Sequence, residues 1–414
     1  MLSEFSLTDD MQRRTRKQCG FDQAEADLPS YAKNVKARSP TLSTDGVKEK
    51  MMDVTSYFGS NSPLYRNVAA NDTVWLLDNT AYKNTETGKW EVEFVSAVFA
   101  QQPSCTVLEA VTAVAHKIGL NDNDPNYPTI EERVLPFIQD IRPGTKVKAI
   151  HAGADRLELG PGGRNGISTD TKPVREGQGN PQIAKATAEV PYGANGVLEM
   201  KTFYAEPEGW SVISDIDDTI KITMTSDPIG ILKSTFTDTP QPCPGMPELY
   251  QNIASLIGPA APFFYLSASP YNLYPFLRDF RQKYYPHGTI VLRDSSWMSI
   301  PGLLSSITLG TEQYKTDRMK KIHEWLPKRK MICIGDSTQA DPESYGNIYR
   351  KFPGWVKLIL IRKVTDIAAL GIESKNEPKR FEKAFKHVPK ERWHVFETAA
   401  ECNAIIANTI ASES

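Results

Sequence analysis

The sequence lacks any apolar run close to the ~18 positions that a bilayer-spanning helix needs. Its first twenty residues, MLSEFSLTDDMQRRTRKQCG, contain no apolar h-region, so no secretory leader is expected. It also lacks a charge excess of either sign: 48 Lys and Arg face 50 Asp and Glu, a formal net charge of −2. No global basic field therefore points to nucleic acid or to an anionic membrane. Cysteine is sparse. The five residues Cys19, Cys105, Cys243, Cys333 and Cys402 are odd in number and show no C-x-x-C spacing. That argues for reduced thiols, a cytoplasmic home and no zinc site. His116 and His151 stand alone and read as structural or surface residues, and no internal repeat is visible.

What remains is the composition of a soluble globular protein, 40% hydrophobic and 24% charged, with a length of 414 residues that allows two or three domains. Residues 1–70 are polar and mixed in charge. Lys33 to Lys50 reads as linker or disorder. Residues 71–205 read as a mainly β, sandwich-like module. Strands are expected at Val74–Leu77, Trp90–Val95, Lys146–Ile150 and Arg156–Leu159, and a hairpin joins Ile183–Val190 to Val197–Tyr204. Two helical stretches, Val107–Leu120 and Ile130–Ile141, interrupt the strands. Gly160 to Gln182, rich in Gly, Pro and Asn, reads as a long surface loop. Residues 206–414 change texture. Apolar strands at Val212–Ile216, Pro262–Ser267, Thr289–Leu292, Met331–Gly335 and Val356–Ile361 alternate with helices. This predicts an α/β fold with a parallel sheet covered on both faces.

The organising stretch is Trp210 to Thr223, WSVISDIDDTIKIT, an apolar strand running into Asp215, Asp217, Asp218 and Thr219. Three acids in four residues repel one another. A divalent metal is the simplest compensation, and an acidic turn after an edge strand is the plainer alternative. Two other strands also end in chemically useful groups: Ser267-Ala268-Ser269, and Gly335-Asp336 followed by Asp341. Lys315 opens the helix before the latter strand. Strand C-termini of an open α/β sheet converge on one crevice, so these groups can meet. In phosphoryl transfer one carboxylate can attack phosphorus, and another can shuttle the leaving-group proton. Hydroxyls, a lysine and magnesium can hold the charged oxygens.

The order D-x-D-x-T, strand-end serine, lysine, then G-D-x-x-x-x-D resembles the haloacid dehalogenase (HAD) superfamily of phosphohydrolases. SDIDDTIK, YLSASP, YKTDRMKKI and IGDSTQADPESY resemble, more narrowly, the fungal actin-patch type of phosphatidate phosphatase, as does NDTVWLLDNTAY upstream. The resemblance covers about residues 70–400. It implies a HAD-like Rossmannoid sheet with Asp215 as nucleophile and Asp217 as general acid/base. Thr219, Ser267 and Lys315 would bind phosphate or position its loop. Mg²⁺ would be held by Asp215, the Asp217 carbonyl and Asp336, with Asp341 in support. It also implies cortical actin patches as a site of action. Members of this group can carry a Pro-rich tail that recruits SH3 domains, and the sequence ends at Ser414 without one, so no SH3 partner is expected.

Substrate choice in such enzymes rests largely on cap insertions, and the intervals Lys221–Pro262 and Pro270–Tyr314 leave room only for small ones. An open crevice suits a phosphate on a large body, such as a phospholipid met by peripheral contact with a membrane. The segment Trp297 to Leu304 is either an element dipping into the headgroup layer or a rim loop packed on the core. Three functions follow. The first is a Mg²⁺-dependent phosphatidate phosphatase releasing diacylglycerol. The second keeps the chemistry for another organic phosphate or a prenyl diphosphate. The third is a non-enzymatic scaffold, disfavoured by the intact set of acids.

Overall fold

A computed structural model describes residues 7–30, 65–294 apart from 123, 178 and 180, 299–365 and 372–413. Its C-terminal half is built on six parallel strands: β11 (Trp210–Asp215), β12 (Phe263–Pro270), β13 (Thr289–Arg293), β14 (Lys330–Asp336), β15 (Val356–Arg362) and β16 (Trp393–Phe396). They lie in the order β13-β12-β11-β14-β15-β16. In chain terms this is 3-2-1-4-5-6, the doubly wound arrangement whose ligand crevice opens at the carboxyl ends beside the reversal of order. The reversal falls between β11 and β14, the strands that end in Asp215 and Asp336. Val212 and Ile213 show why the sheet forms. Both are fully buried, and as neighbours on a strand they face opposite sides, each into a separate apolar cluster. Such a strand must be covered twice.

The N-terminal half is mainly β, as the alternation in Trp90–Val95 predicts. Ten strands join into one hydrogen-bonded network that includes β4 (Trp90–Ala100), β7 (Ile167–Pro173), β8 (Ile183–Glu189) and β10 (Glu199–Ala205). The expected hairpin is present, with β8 and β10 paired antiparallel. The stretch 160–182 is not a plain surface loop. Seven of its residues form β7, which pairs with β4 along Ile167–Pro173. Its polarity hid it: Ser168 and Asp170 are buried because Ser168 shares a hydrogen bond with Ser96 at 2.8 Å and Asp170 accepts the Gly160 N–H at 2.9 Å. His151 is structural, buried beside Phe94 and 3.2 Å from Thr202 Oγ1.

The two halves share a core. One face of β2 (Asp72–Leu76) sends Val74 and Leu76 into the β module's own cluster. Trp75, and Leu77 just beyond the strand, pack with Val212, Ile216 and Tyr265 of the parallel-sheet half. A buried ion pair crosses the same boundary. Arg281 Nη2 lies 2.7 Å from Asp78 Oδ2, both residues at 3% exposure or less, while Asp78 Oδ1 accepts the Lys201 N–H. Arg281→Met leaves this carboxylate buried with only the more distant Arg278, at 3.5 Å. The expected cost is about 3 kcal/mol, read as a lower urea midpoint; an unchanged midpoint would show that the pair contributes nothing to joining the halves.

The N-terminal region read as polar and mixed in charge carries secondary structure. Helices span Leu7–Gln18 and Phe21–Ala26, and Phe21, Ala24 and Leu28 are buried. Three apolar residues at spacings of three and four are too few to stand out in a charged stretch, yet they suffice for a short helix docked on a neighbour. Lys33 to Lys50 lies outside the described residues. Arg16 fixes the dock by donating to the Leu304 carbonyl and pairing with Glu25 at 2.6 Å. The partner is the helix Pro301–Thr308, whose Leu303, Leu304 and Ile307 are fully buried. Of the two readings of this segment, a membrane-dipping element or a rim packed on the core, these residues follow the second; Trp297 lies outside the described residues. Among the described residues no helix is long and apolar enough to cross a membrane.

Candidate active site

β11 delivers Asp215 to the sheet's carboxyl edge, and the chain then turns sharply. Asp218 holds a left-handed backbone, φ 60°, a conformation that Asp tolerates better than most residues. The Asp218 carboxylate closes the loop that follows. It accepts N–H groups from Thr223, Met224 and Thr225 at 2.7–2.9 Å, and the Thr225 hydroxyl at 2.7 Å. This is a role the sequence reading did not assign. The signal was present in the threonines at 223 and 225, spaced to return onto an acid five and seven residues earlier. So the third acid of the motif is structural.

Asp215, Asp336 and Asp341 come together, each offering a carboxylate oxygen within 4.8 Å of the others, and all are fully buried. Lys315 Nζ sits among them, 2.6 Å from Asp215 Oδ1 and 2.5 Å from Asp341 Oδ1. Lys315 does not open its helix; it lies in the second turn of Thr311–Trp325. Thr219 Oγ1 donates to Asp215 Oδ2 at 3.2 Å and faces Asp336 Oδ2 at 3.4 Å. Asp336 also accepts the Thr338 N–H at 2.5 Å and the Thr338 hydroxyl. Asp341 approaches so closely that a Cβ on Gly335 would lie 2.6 Å from its own Cβ. Glycine at 335 is what lets the β14 end and the start of the next helix meet. The 336–341 turn is held from behind by Arg380, which donates to the carbonyls of Ser337 and Gln339 and pairs with Glu343.

Asp217 points elsewhere. Its carboxylate meets Ser267 Oγ at 2.5 Å, Ser269 Oγ at 3.3 Å and Thr223 Oγ1 at 2.9 Å. Hydroxyls can donate or accept, so this ring accommodates the carboxyl in either protonation state. The Asp217 side chain is therefore not one of the gathered carboxylates, and Ser267, expected on phosphate, is engaged by Asp217.

The electrostatics are unbalanced. Burial opposes the charge on Lys315, yet Asp215, Asp341 and Asp336 outweigh it and hold the ammonium's pKa above its ordinary value. Burial, then Asp341, pushes the Asp336 carboxyl up to about 6, against the pull of Lys315 and the Thr338 hydrogen bonds. Three carboxylates around one ammonium leave excess negative charge in a dry site. A donor set made only of oxygens, mutually repelling and converging, fits a hard divalent cation, with Asp215, Asp336 and Asp341 as the residues able to hold it.

Residues 210–363 match the family model of the phosphatidate phosphatase APP1 catalytic domain. The chain is also 27% identical over 280 residues, 63% of its length, to the phosphatidate phosphatase APP1 of Saccharomyces cerevisiae, of which the match spans 45%. The chain thus spans less than half the length of this curated relative. The matched stretch runs from the first residue of β11 to just past the last of β15 and contains Asp215, Asp217, Asp218, Asp336 and Asp341. In its parallel-sheet module, this chain is thus similar to the APP1-type phosphatidate phosphatases.

Proposed function

We propose that this protein is a Mg²⁺-dependent phosphatidate phosphatase that works through an aspartyl-phosphate on Asp215. The observation that supports this most directly is the convergence of Asp215, Lys315, Asp336 and Asp341 at the β11/β14 reversal, inside the matched stretch. An Asp215 oxygen attacks phosphorus, and the bond from phosphorus to the ester oxygen breaks. Asp217 gives its proton to that leaving oxygen, releasing diacylglycerol. Asp217 then takes a proton from the incoming water, which displaces Asp215 from phosphorus. Lys315 and the hydroxyl of Thr219 hold Asp215 in line, and Ser267 and Ser269 orient Asp217. Asp215 and Asp336, with Asp341 in support, are the residues that would hold magnesium, which would supply positive charge to screen the nucleophile from the phosphate. The enzyme acts from the cytoplasm and meets its phospholipid through peripheral contact.

The purified full chain, assayed with and without Mg²⁺ on phosphatidate in mixed micelles, a prenyl diphosphate and a soluble aryl phosphate, tests this reading. The expected result is magnesium-dependent release of phosphate with phosphatidate preferred. Preference for the prenyl diphosphate or the aryl ester would reassign the substrate, and no turnover of any ester would leave the scaffold reading.

Metal binding also has a readout in stability. Asp336 has its folded pKa raised to about 6, above the ~3.9 of an unfolded Asp, so its proton stabilises the metal-free fold at low pH. That contribution fades as pH rises through about 6. Magnesium competes with the proton, so Mg²⁺ should raise the melting temperature more at pH 7.5 than at pH 5. Equal shifts at both values would remove Asp336 from the ligand set.

A further inference from the structure

Beside the carboxylate centre lies a cavity of about 40 Å³ that the proposed chemistry does not use. One wall is the N-terminal helix pair, with Arg16 and Phe21. The other is made by Thr225, Thr338, Gln339 and Lys375. Two of these residues are also part of the centre's frame: Thr338 hydrogen-bonds Asp336, Thr225 hydrogen-bonds Asp218, and the two hydroxyls meet at 2.8 Å. The threonines thus stand between the cavity and the acids.

Three features say what the cavity would take. Gln339 is only 6% exposed, and neither atom of its side-chain amide has a hydrogen-bond partner among the described residues. A buried amide left unpaired is destabilising, so a polar guest would be stabilised there. Second, the local cations are not fully matched. Arg16 is paired with Glu25 and Arg380 with Glu343, whereas Lys375 donates to Ser226 Oγ at 3.0 Å and pairs with no carboxylate among the described residues. Burial, then the charge of Arg380, lowers the Lys375 pKa to about 8, and an adjacent anion would relieve that. Third, the volume holds about three waters at 10–15 Å³ each, which is also the number of free oxygens on a terminal phosphoryl group.

We infer that this cavity is a second phosphate-type anion subsite, adjoining the carboxylate centre and walled by the N-terminal helices, in which Lys375 and Gln339 hold the anion. Its occupant is either the second phosphoryl group of a diphosphate ester or free inorganic phosphate. The site needs only its own geometry; just the kinetic part of its test rests on the phosphatase reading above.

Calorimetric titration of the full chain with tungstate, a phosphate mimic, in the presence of Mg²⁺ to neutralise the carboxylate centre, tests it. The expected result is two sites, one at the carboxylate centre and one lost in both Lys375→Met and Gln339→Leu. Crystals soaked in tungstate should show anomalous density between those two side chains. The absence of any tungstate site that both substitutions remove would overturn the inference, and that result does not depend on turnover. Kinetics then separates the two sources. If the substrate's own phosphoryl group sits there, Lys375→Met lowers kcat/KM for an aryl diphosphate about tenfold more than for the aryl monophosphate. If free phosphate sits there, that ratio holds and product inhibition by phosphate weakens about tenfold instead. Absence of both effects, in a chain that hydrolyses both esters, would also overturn it.

Discussion

Asp215→Asn is expected to lower phosphatidate turnover by about 10³-fold or more, because an amide oxygen is a poor nucleophile towards phosphorus and nothing else in the site can replace it. The next acid, Asp217, is turned toward Ser267, Ser269 and Thr223, and Asp218 is occupied in closing the loop. The fold should survive. Asparagine keeps the shape and can still accept from Thr219, Lys315 retains Asp341, and one of three mutually repelling buried carboxylates is gone. Activity should therefore collapse while the melting temperature holds or rises. Near-normal turnover in this variant would remove Asp215 from the covalent step.

The second large effect is expected at Lys315. Its ammonium is fully buried between Asp215 and Asp341, and among the described residues no other cation pairs with either. Lys315→Met fills the space but leaves the carboxylates facing one another in a dry site. Removing one partner from a buried pair costs about 3–5 kcal/mol, and activity should fall with it as the nucleophile loses its anchor. The repulsion has a remedy that a packing defect does not. Divalent cation can supply the missing positive charge, so Mg²⁺ should recover more stability in Lys315→Met than in the parent chain. A loss of stability that magnesium leaves untouched would mean that Lys315 acts by packing alone.

Much of this was legible in the sequence because the signals were strong and local. Five apolar strands such as Val212–Ile216 and Met331–Gly335 carry their burial in their composition, and the acids at their ends mark the sheet edge that a doubly wound topology brings together. The parts that were not legible depend on partners far away in the chain. Ser168 and Asp170 look like loop residues until Ser96 and Gly160 satisfy them. Phe21, Ala24 and Leu28 become a helix face only against Leu303 and Leu304, which themselves resembled a surface segment. Asp218 could not be told from its two neighbours by residue type, since only the Thr223–Thr225 amides distinguish it. The intervals after β11 and β12 leave room only for small caps. Cover beside the site comes from Arg16 and Phe21, some two hundred residues upstream.

The central claim is covalent chemistry at Asp215, and an acyl phosphate can be caught directly. Full-length protein mixed with phosphatidate and Mg²⁺, quenched in acid and reduced with borohydride, should yield homoserine at position 215 in the peptide mass spectrum. The product should be missing without substrate and missing from Asp215→Asn. Phosphate release without any reduced residue at 215, or with the reduced residue at 217 or 336, would contradict the account.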